Sequence, residues 1–253
     1  MEVSTQRFWE NFSFELLEQY KYLQVAPSLT GIERNYCKHI TGNTLHIFCN
    51  FGVNTFELEK FSDTIVGLDF SESAINYAKE YKKVINSKAE FVCKDFFDFN
   101  EGTFDTIYAS YGILDWVSDL DLFFKQVKTN LSDNGKFILV EFDESFFNVY
   151  LNDIGEKISN NTFLVSTKVS KDAPKSLLGG TKRTTIKSKV IVHELNSILN
   201  SLNSSGFTID RFDEYDYINF RMTDYDIQLG SKAFRHSKLP IDANMCYGLV
   251  ASL

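Results

Sequence analysis

Three short stretches each end an apolar run in a group that could hold part of an adenosine. In TLHIFCNFGVNTFELEKF, Thr44 to Phe61, an apolar run enters a helical pattern through Phe48–Gly52. A turn entering a helix presents unpaired backbone N–H groups, and Gly52 lets the chain approach a ligand closely. Asp69 closes TIVGLDF, where a carboxylate can accept both hydroxyls of a ribose. Asp95 and Phe96 close AEFVCKDF. The acid can accept from an adenine amino group, while Phe70 and Phe96 offer ring faces. Each signal has an ordinary reading as well, since an Asp after a strand is commonly a turn or helix-cap residue. In this order, at successive strand ends, they point to one adenosine site. A nicotinamide dinucleotide fits less well: its pyrophosphate wants G-x-G-x-x-G, and CNFGVN carries a single glycine.

The elements that must position these groups alternate. LHIFC (45–49), TIVGLDF (64–70), AEFVCKDF (89–96), FDTIYASYG (104–112) and GKFILVEF (135–142) read as strands. Between them NTFELEKF, SESAINYAKEYKKVI with Ser71 as N-cap, and LDLFFKQVKTNL read as helices. Such alternation implies a parallel sheet with helices on both faces, binding ligands at the carboxyl ends of its strands. The first forty residues read as helical, from Phe8, Phe12, Leu16, Leu17 and Tyr20. From about Asp143 to Val192 the chain is lysine- and serine-rich and weakly patterned, so it reads as inserted or flexible. VHELNSILNSLNSSGF restores a helix that Gly206 ends, and FTIDRFDEY and CYGLVASL read as closing strands.

Composition sets the bounds. The 253 residues suffice for one α/β domain, and 43% hydrophobic with 24% charged residues is ordinary for a soluble protein. Twenty-four phenylalanines point to an aromatic core or pocket. A net charge of −8 counts against broad nucleic-acid or anionic-membrane contact. Lys168 to Lys189 is locally basic, either a solvated loop or a contact for an acidic group. Cys37, Cys49, Cys93 and Cys246 form no CxxC pair and no histidine stands at ligand spacing, so no metal site is expected. With no secretory or membrane-spanning run, a reducing cytoplasm is the expected compartment.

The stretches LHIFCNFGVNTF (45–56), GLDFSESAINYAKE (67–80), FVCKDFFDF, FDTIYASYGILDWVSDL (104–120), LSDNGKFILVEF (131–142) and HELNSILNSLNSSGFTIDRFDEYDY (193–217) together carry a resemblance. The chain resembles class I S-adenosylmethionine-dependent methyltransferases, within them a branch whose first motif reads about LHLQCHFG-x-DTL in place of LDLGCGTG. The resemblance implies a Rossmann-like, doubly wound, mostly parallel seven-stranded sheet with an antiparallel last strand. It implies one domain: an N-terminal helical cap (1–43), a cofactor-binding core (44–142), an insertion (143–192), and a closing helix and strands (193–253). It departs from the branch at Phe48, where a glutamine is usual, and His46 stands where most class I enzymes carry an acid.

By carry-over, Gly52 and the backbone of Phe48, Cys49 and Asn50 would face the methionine part of S-adenosylmethionine. Asp69 would take the ribose, Phe70 the side of the adenine, and Asp95 and Phe96 its edge. Ser110, with Tyr111, would lie near the sulfonium and the methionine amine. Tyr111 and His193 are the candidates for substrate-side chemistry, His193 as a base or as a helix-end histidine with a structural bond. Trp9, Tyr111, Trp116 and His193 are the candidates for substrate contact. Trp116 reads alternatively as packing under the following helix, and Phe8, Trp9, Tyr20 and Tyr22 as a lid or as plain helix packing. The implied reaction is in-line methyl transfer to a small molecule, with S-adenosylhomocysteine as product. Two rivals stand beside it: a degenerate relative that regulates or scaffolds a partner, and an S-adenosylmethionine-dependent cyclisation or elimination.

Overall fold

The computed structural model describes Phe8 and residues 29–168 and 185–253. Trp9, Tyr20, Tyr22 and most of the basic segment 168–189 lie outside these residues.

Seven strands form the central sheet: β1 (Asn43–Ile47), β2 (Thr64–Asp69), β3 (Glu90–Cys93), β4 (Phe104–Ser110), β5 (Leu131–Phe142), β9 (Thr208–Tyr215) and β12 (Cys246–Ser252). Their spatial order is β3-β2-β1-β4-β5-β12-β9. All pairings among β1 to β5 are parallel, while β12 runs antiparallel to both β5 and β9. This is the expected doubly wound sheet with its reversed last strand. The order turns back between β1 and β4, so a crevice opens at their carboxyl ends.

Alternation along each strand feeds two faces. Tyr108, Ile138 and Val140 join one core with α1 (Gly31–Cys37), α2 (Val53–Leu58) and α3 (Glu72–Ile85). Leu45, Ile47, Ile107, Ala109, Phe137 and Leu139 join the other with α4 (Leu120–Thr129) and α6 (Leu195–Ser204). Buried phenylalanines dominate that second core: Phe123, Phe124 and Phe137 interlock edge to face at 5.2 to 6.2 Å between centroids. Caps set the helix starts. Ser71 Oγ accepts from Ala74 N at 3.3 Å, and Thr30 with Glu33 forms a capping box on α1. Gly206, at φ 95°, follows α6.

Two small sheets lie outside the main one. The weakly patterned stretch after Asp143 holds α5 (Glu144–Ile154) and the strands β6 (Glu156–Lys157), β7 (Thr162–Lys168) and β8 (Thr185–Ile191), paired antiparallel. Phe163, Val165 and Val190 bury their side chains against the α1 face of the core. Sparse periodicity concealed these strands because their apolar residues are few. The hairpin β10 (Asp226–Gly230) and β11 (Ala233–His236) follows β9. Asn219, in the connection before it, accepts from Ile32 N at 2.8 Å and so ties that connection to α1.

Candidate functional site

The turn between β1 and α2 alternates in backbone handedness. Phe48, Asn50 and Gly52 have φ of 53°, 47° and 72°. A glycine is indispensable only at the third position, where a Cβ would meet the Phe91 ring at 2.4 Å. Asparagine tolerates the left-handed region, but a phenylalanine there costs roughly 1–2 kcal/mol. Packing offsets that strain: the half-buried Phe48 ring lies 5.7 Å from Phe96 and 6.4 Å from Phe123. The turn is therefore a glycine-rich loop in conformation but not in composition. Cys49 is buried, and its N–H donates to Leu68 O at 3.0 Å.

The end of β2 is bonded to this loop. Asp69 Oδ2 accepts from Asn50 N at 2.8 Å, and its Oδ1 accepts from Ser71 N at 2.9 Å. Lys94 N donates to Asp69 O at 2.9 Å, drawing in the third strand end. Phe70 is half-buried, with its carbonyl 3.5 Å from Cys93 Sγ. Asp95 is exposed and caps a 3₁₀ turn, Oδ1 accepting from Phe97 N at 3.0 Å, while Phe96 is buried beside it. The first three strand ends thus converge, with Asp95 at the rim.

The fourth strand end brings in a residue that the sequence did not single out. Glu33, on α1, is 1% exposed. Its Oε2 accepts from Thr30 N at 2.7 Å, and its Oε1 accepts from Asn54 Nδ2 at 2.8 Å and Tyr108 OH at 3.3 Å. Ser110 also hydrogen-bonds to it. Burial pushes its carboxyl above the usual range, against the lowering effect of these donors. The signal was the capping box T-x-x-E, which marks a helix start and nothing more. His46 lies on the same face, Nδ1 2.8 Å from Thr55 Oγ1, and burial lowers its pKa to about 3. It is neutral at any ordinary pH.

Tyr111, at φ 48°, places its hydroxyl 3.4 Å from Thr30 Oγ1. Its ring sits 5.0 Å from Phe142 and 5.3 Å from Phe220. Burial holds its pKa well above that of a free phenol, so it donates a proton to hydrogen bonds and does not act as a phenolate. Trp116 lies 5.1 Å from Phe8 and packs with the α1-side core, not under α4. His193 Nε2 is 2.7 Å from Val117 O, so that nitrogen carries the proton. The structural bond is therefore present, and Nδ1 is left as the acceptor atom.

Beneath the loop after β4, Glu141 is 2% exposed and gathers four backbone N–H groups, those of Gly112, Ile113 (2.9 Å), Leu114 (3.2 Å) and Phe142 (2.8 Å). Asp115, also buried, faces it, and desolvation with the Glu141 charge raises the Asp115 carboxyl well above its usual range. Burial raises the Glu141 carboxyl as well, against the lowering effect of its four N–H donors, so Asp115, which has no such ring, is the member of the pair that favours a proton.

The chain belongs to the family described as "Methyltransferase domain", whose match spans residues 39–213. Solved structures share the fold. A S-adenosylmethionine-dependent methyltransferase from Clostridium acetobutylicum ATCC 824 superposes with TM-score 0.59 at 14% identity, over 99% of this chain and 92% of that one. The PH0226 protein from Pyrococcus horikoshii OT3 gives 0.58 at 20% identity, over 94% and 91%. A DhpI complex with S-adenosylhomocysteine gives 0.57 at 14% identity, over 97% and 94%. No curated protein matches the chain.

Proposed function

We propose that the chain transfers a methyl group from S-adenosylmethionine to a small-molecule acceptor, leaving S-adenosylhomocysteine. The observation that carries this reading is the bond from Asn50 N to Asp69 at 2.8 Å, which joins the first two strand-end loops. The left-handed turn and the close Gly52–Phe91 approach make a concave backbone surface of the kind a cofactor needs. Its first motif groups it with the branch that retains only the last loop glycine.

In this reading Gly52 and the backbone of Phe48, Cys49 and Asn50 border the methionine part. Asp69 receives the ribose hydroxyls, and Phe70, Asp95 and Phe96 border the adenine. Ser110 lies toward the sulfonium and the methionine amine. The cofactor supplies an already activated methyl carbon, so the protein's work is alignment of the acceptor and exclusion of water. Tyr111, a neutral phenol among Phe142 and Phe220, orients the acceptor through its hydroxyl. Where the acceptor must lose a proton, His193 Nδ1 is the available base. Trp116 completes the acceptor's surroundings. A net charge of −8 favours a small molecule over nucleic acid, and among the described residues no helix is long and apolar enough to cross a membrane. A cytoplasmic setting accords with the free cysteines.

Isothermal calorimetry tests the reading: the wild type binds S-adenosylhomocysteine in the micromolar range. Absence of any binding overturns it. One observation favours a rival, a regulatory or scaffolding relative: the Phe48 ring leans on Phe96, beside the proposed adenine position. A crystal grown with S-adenosylhomocysteine that shows this ring still against Phe96 and no ligand density would favour that rival.

A further inference from the structure

Resting on the S-adenosylmethionine reading above, we propose that Glu33 binds the α-ammonium of the cofactor's amino-acid tail, held for that task by Asn54 and Tyr108. S-adenosylmethionine carries two cationic centres, and a carboxylate is the natural partner of its ammonium.

Glu33 is 1% exposed, and the partners of its carboxylate among the described residues are neutral: Thr30 N, the Thr30 hydroxyl, Asn54 Nδ2, Tyr108 OH and Ser110. The neighbouring cation, Arg34, turns away, its guanidinium bonded to Glu57 at 3.2 Å and to Leu29 O at 3.2 Å. Taking a carboxylate out of water without a cation costs several kcal/mol. Capping α1 does not account for the charge. The cap uses Oε2 alone, and a glutamine serves a capping box as well. Oε1 is held separately, by Asn54 in the first turn of α2 and by Tyr108 from β4. Asn54 follows the loop, and Ser110 ends β4, so the carboxylate stands between the two elements that border the methionine part. His46, at the end of β1 on the same face, is neutral and supplies no charge there. Burial pushes the Glu33 carboxyl up, and an ammonium alongside restores its charged form. The other titratable groups around it are Tyr108, Tyr111, Cys37 and Cys246, all pushed up by burial and so uncharged at neutral pH.

The test compares two ligands on wild type and Glu33→Gln: S-adenosylhomocysteine, which has the ammonium, and 5′-methylthioadenosine, which lacks the whole amino-acid tail. The expected result is a loss of twentyfold or more in S-adenosylhomocysteine affinity in the variant, with 5′-methylthioadenosine within threefold of wild type. Unchanged S-adenosylhomocysteine affinity overturns the assignment, and so does an equal loss for both ligands, which would mark a structural role. A wild type that binds neither ligand sinks the S-adenosyl reading, and this inference with it. Carbon-detected NMR of the wild-type glutamate carboxyls gives an arm independent of the variant's folding. The Glu33 titration midpoint falls when S-adenosylhomocysteine is added, and a midpoint that stays fixed overturns the proposal.

Discussion

The backbone N–H of Asn50 donates to Asp69 Oδ2 at 2.8 Å, so the first strand-end loop hangs on the carboxylate of the second. The other oxygen of Asp69 holds Ser71 N at 2.9 Å and fixes the entry to α3. One side chain thus shapes two loops of the proposed site before any ligand arrives. Asp69→Ala leaves two backbone donors without their acceptor, at about 1–3 kcal/mol for each that stays buried. Urea denaturation should show that loss. Calorimetry should show S-adenosylhomocysteine affinity falling tenfold or more, whereas Asp69→Asn, which retains one acceptor, should fall between.

Phe48 sets backbone strain against packing. Its φ of 53° favours glycine, while its ring packs on Phe96 and Phe123. Both Phe48→Gly and Phe48→Ala lose the ring, but only alanine keeps the left-handed penalty. The glycine variant is therefore expected to be the more stable of the two by about 1 kcal/mol, the reverse of the order in a helix interior. Equal midpoints in urea would show that the turn is not held left-handed at this position.

His46 makes stability depend on acid. Its folded pKa, about 3, lies below the ordinary value of 6.5, so between those pH values the unfolded chain binds more protons. Stability attributable to His46 is complete above pH 6.5 and falls as pH drops toward 3, by up to about 1.4 kcal/mol per unit. Buried carboxylates with raised pKa act in the opposite direction, so the informative quantity is a difference. Wild type minus His46→Gln, measured by urea denaturation from pH 7 to 4.5, should decline with acid at close to that slope.

Asp115 and Glu141 are both acids, but their substitutions should differ. Glu141→Gln turns an amide N–H₂ toward one of two donor pairs, Gly112 with Phe142 or Ile113 with Leu114, and is expected to cost about 2–4 kcal/mol. Asp115→Asn replaces a group whose protonated form burial favours, and should be neutral or mildly stabilising at pH 7. The folded pKa of Asp115 lies above its ordinary 3.8, so its contribution is complete below that value and is lost as pH rises through the folded one. Paired denaturation curves from pH 4 to 9 should show wild type losing stability relative to Asp115→Asn.

Much of the fold was legible because period-2 and period-3.6 patterns are local. The core strands and helices from Thr44 to Phe142 carry them, and Ser71 and Gly206 mark helix ends by their own chemistry. Where the pattern thinned, legibility went with it: β7 and β8 bury few residues, and β10 and β11 follow a stretch with no strong alternation. Asp69 was visible as a strand-end acid, but its bond to Asn50 joins residues nineteen positions apart and leaves no trace in spacing. Trp116 was visible as a large ring near a helix. Only packing decided that it faces Phe8 and the α1 side.

By itself the sequence determined the alternating elements, the chemical types at each strand end, and the single glycine that the turn cannot replace. Tertiary structure decided which distant groups share a charge environment. Glu33 and Tyr108 meet only because α1 folds over the end of β4, and the Asp115 carboxyl is pushed up because the fold buries it and sets Glu141 beneath the same loop. Propensity and periodicity act within a few residues, whereas desolvation and Coulomb interaction depend on the neighbours that the folded chain supplies.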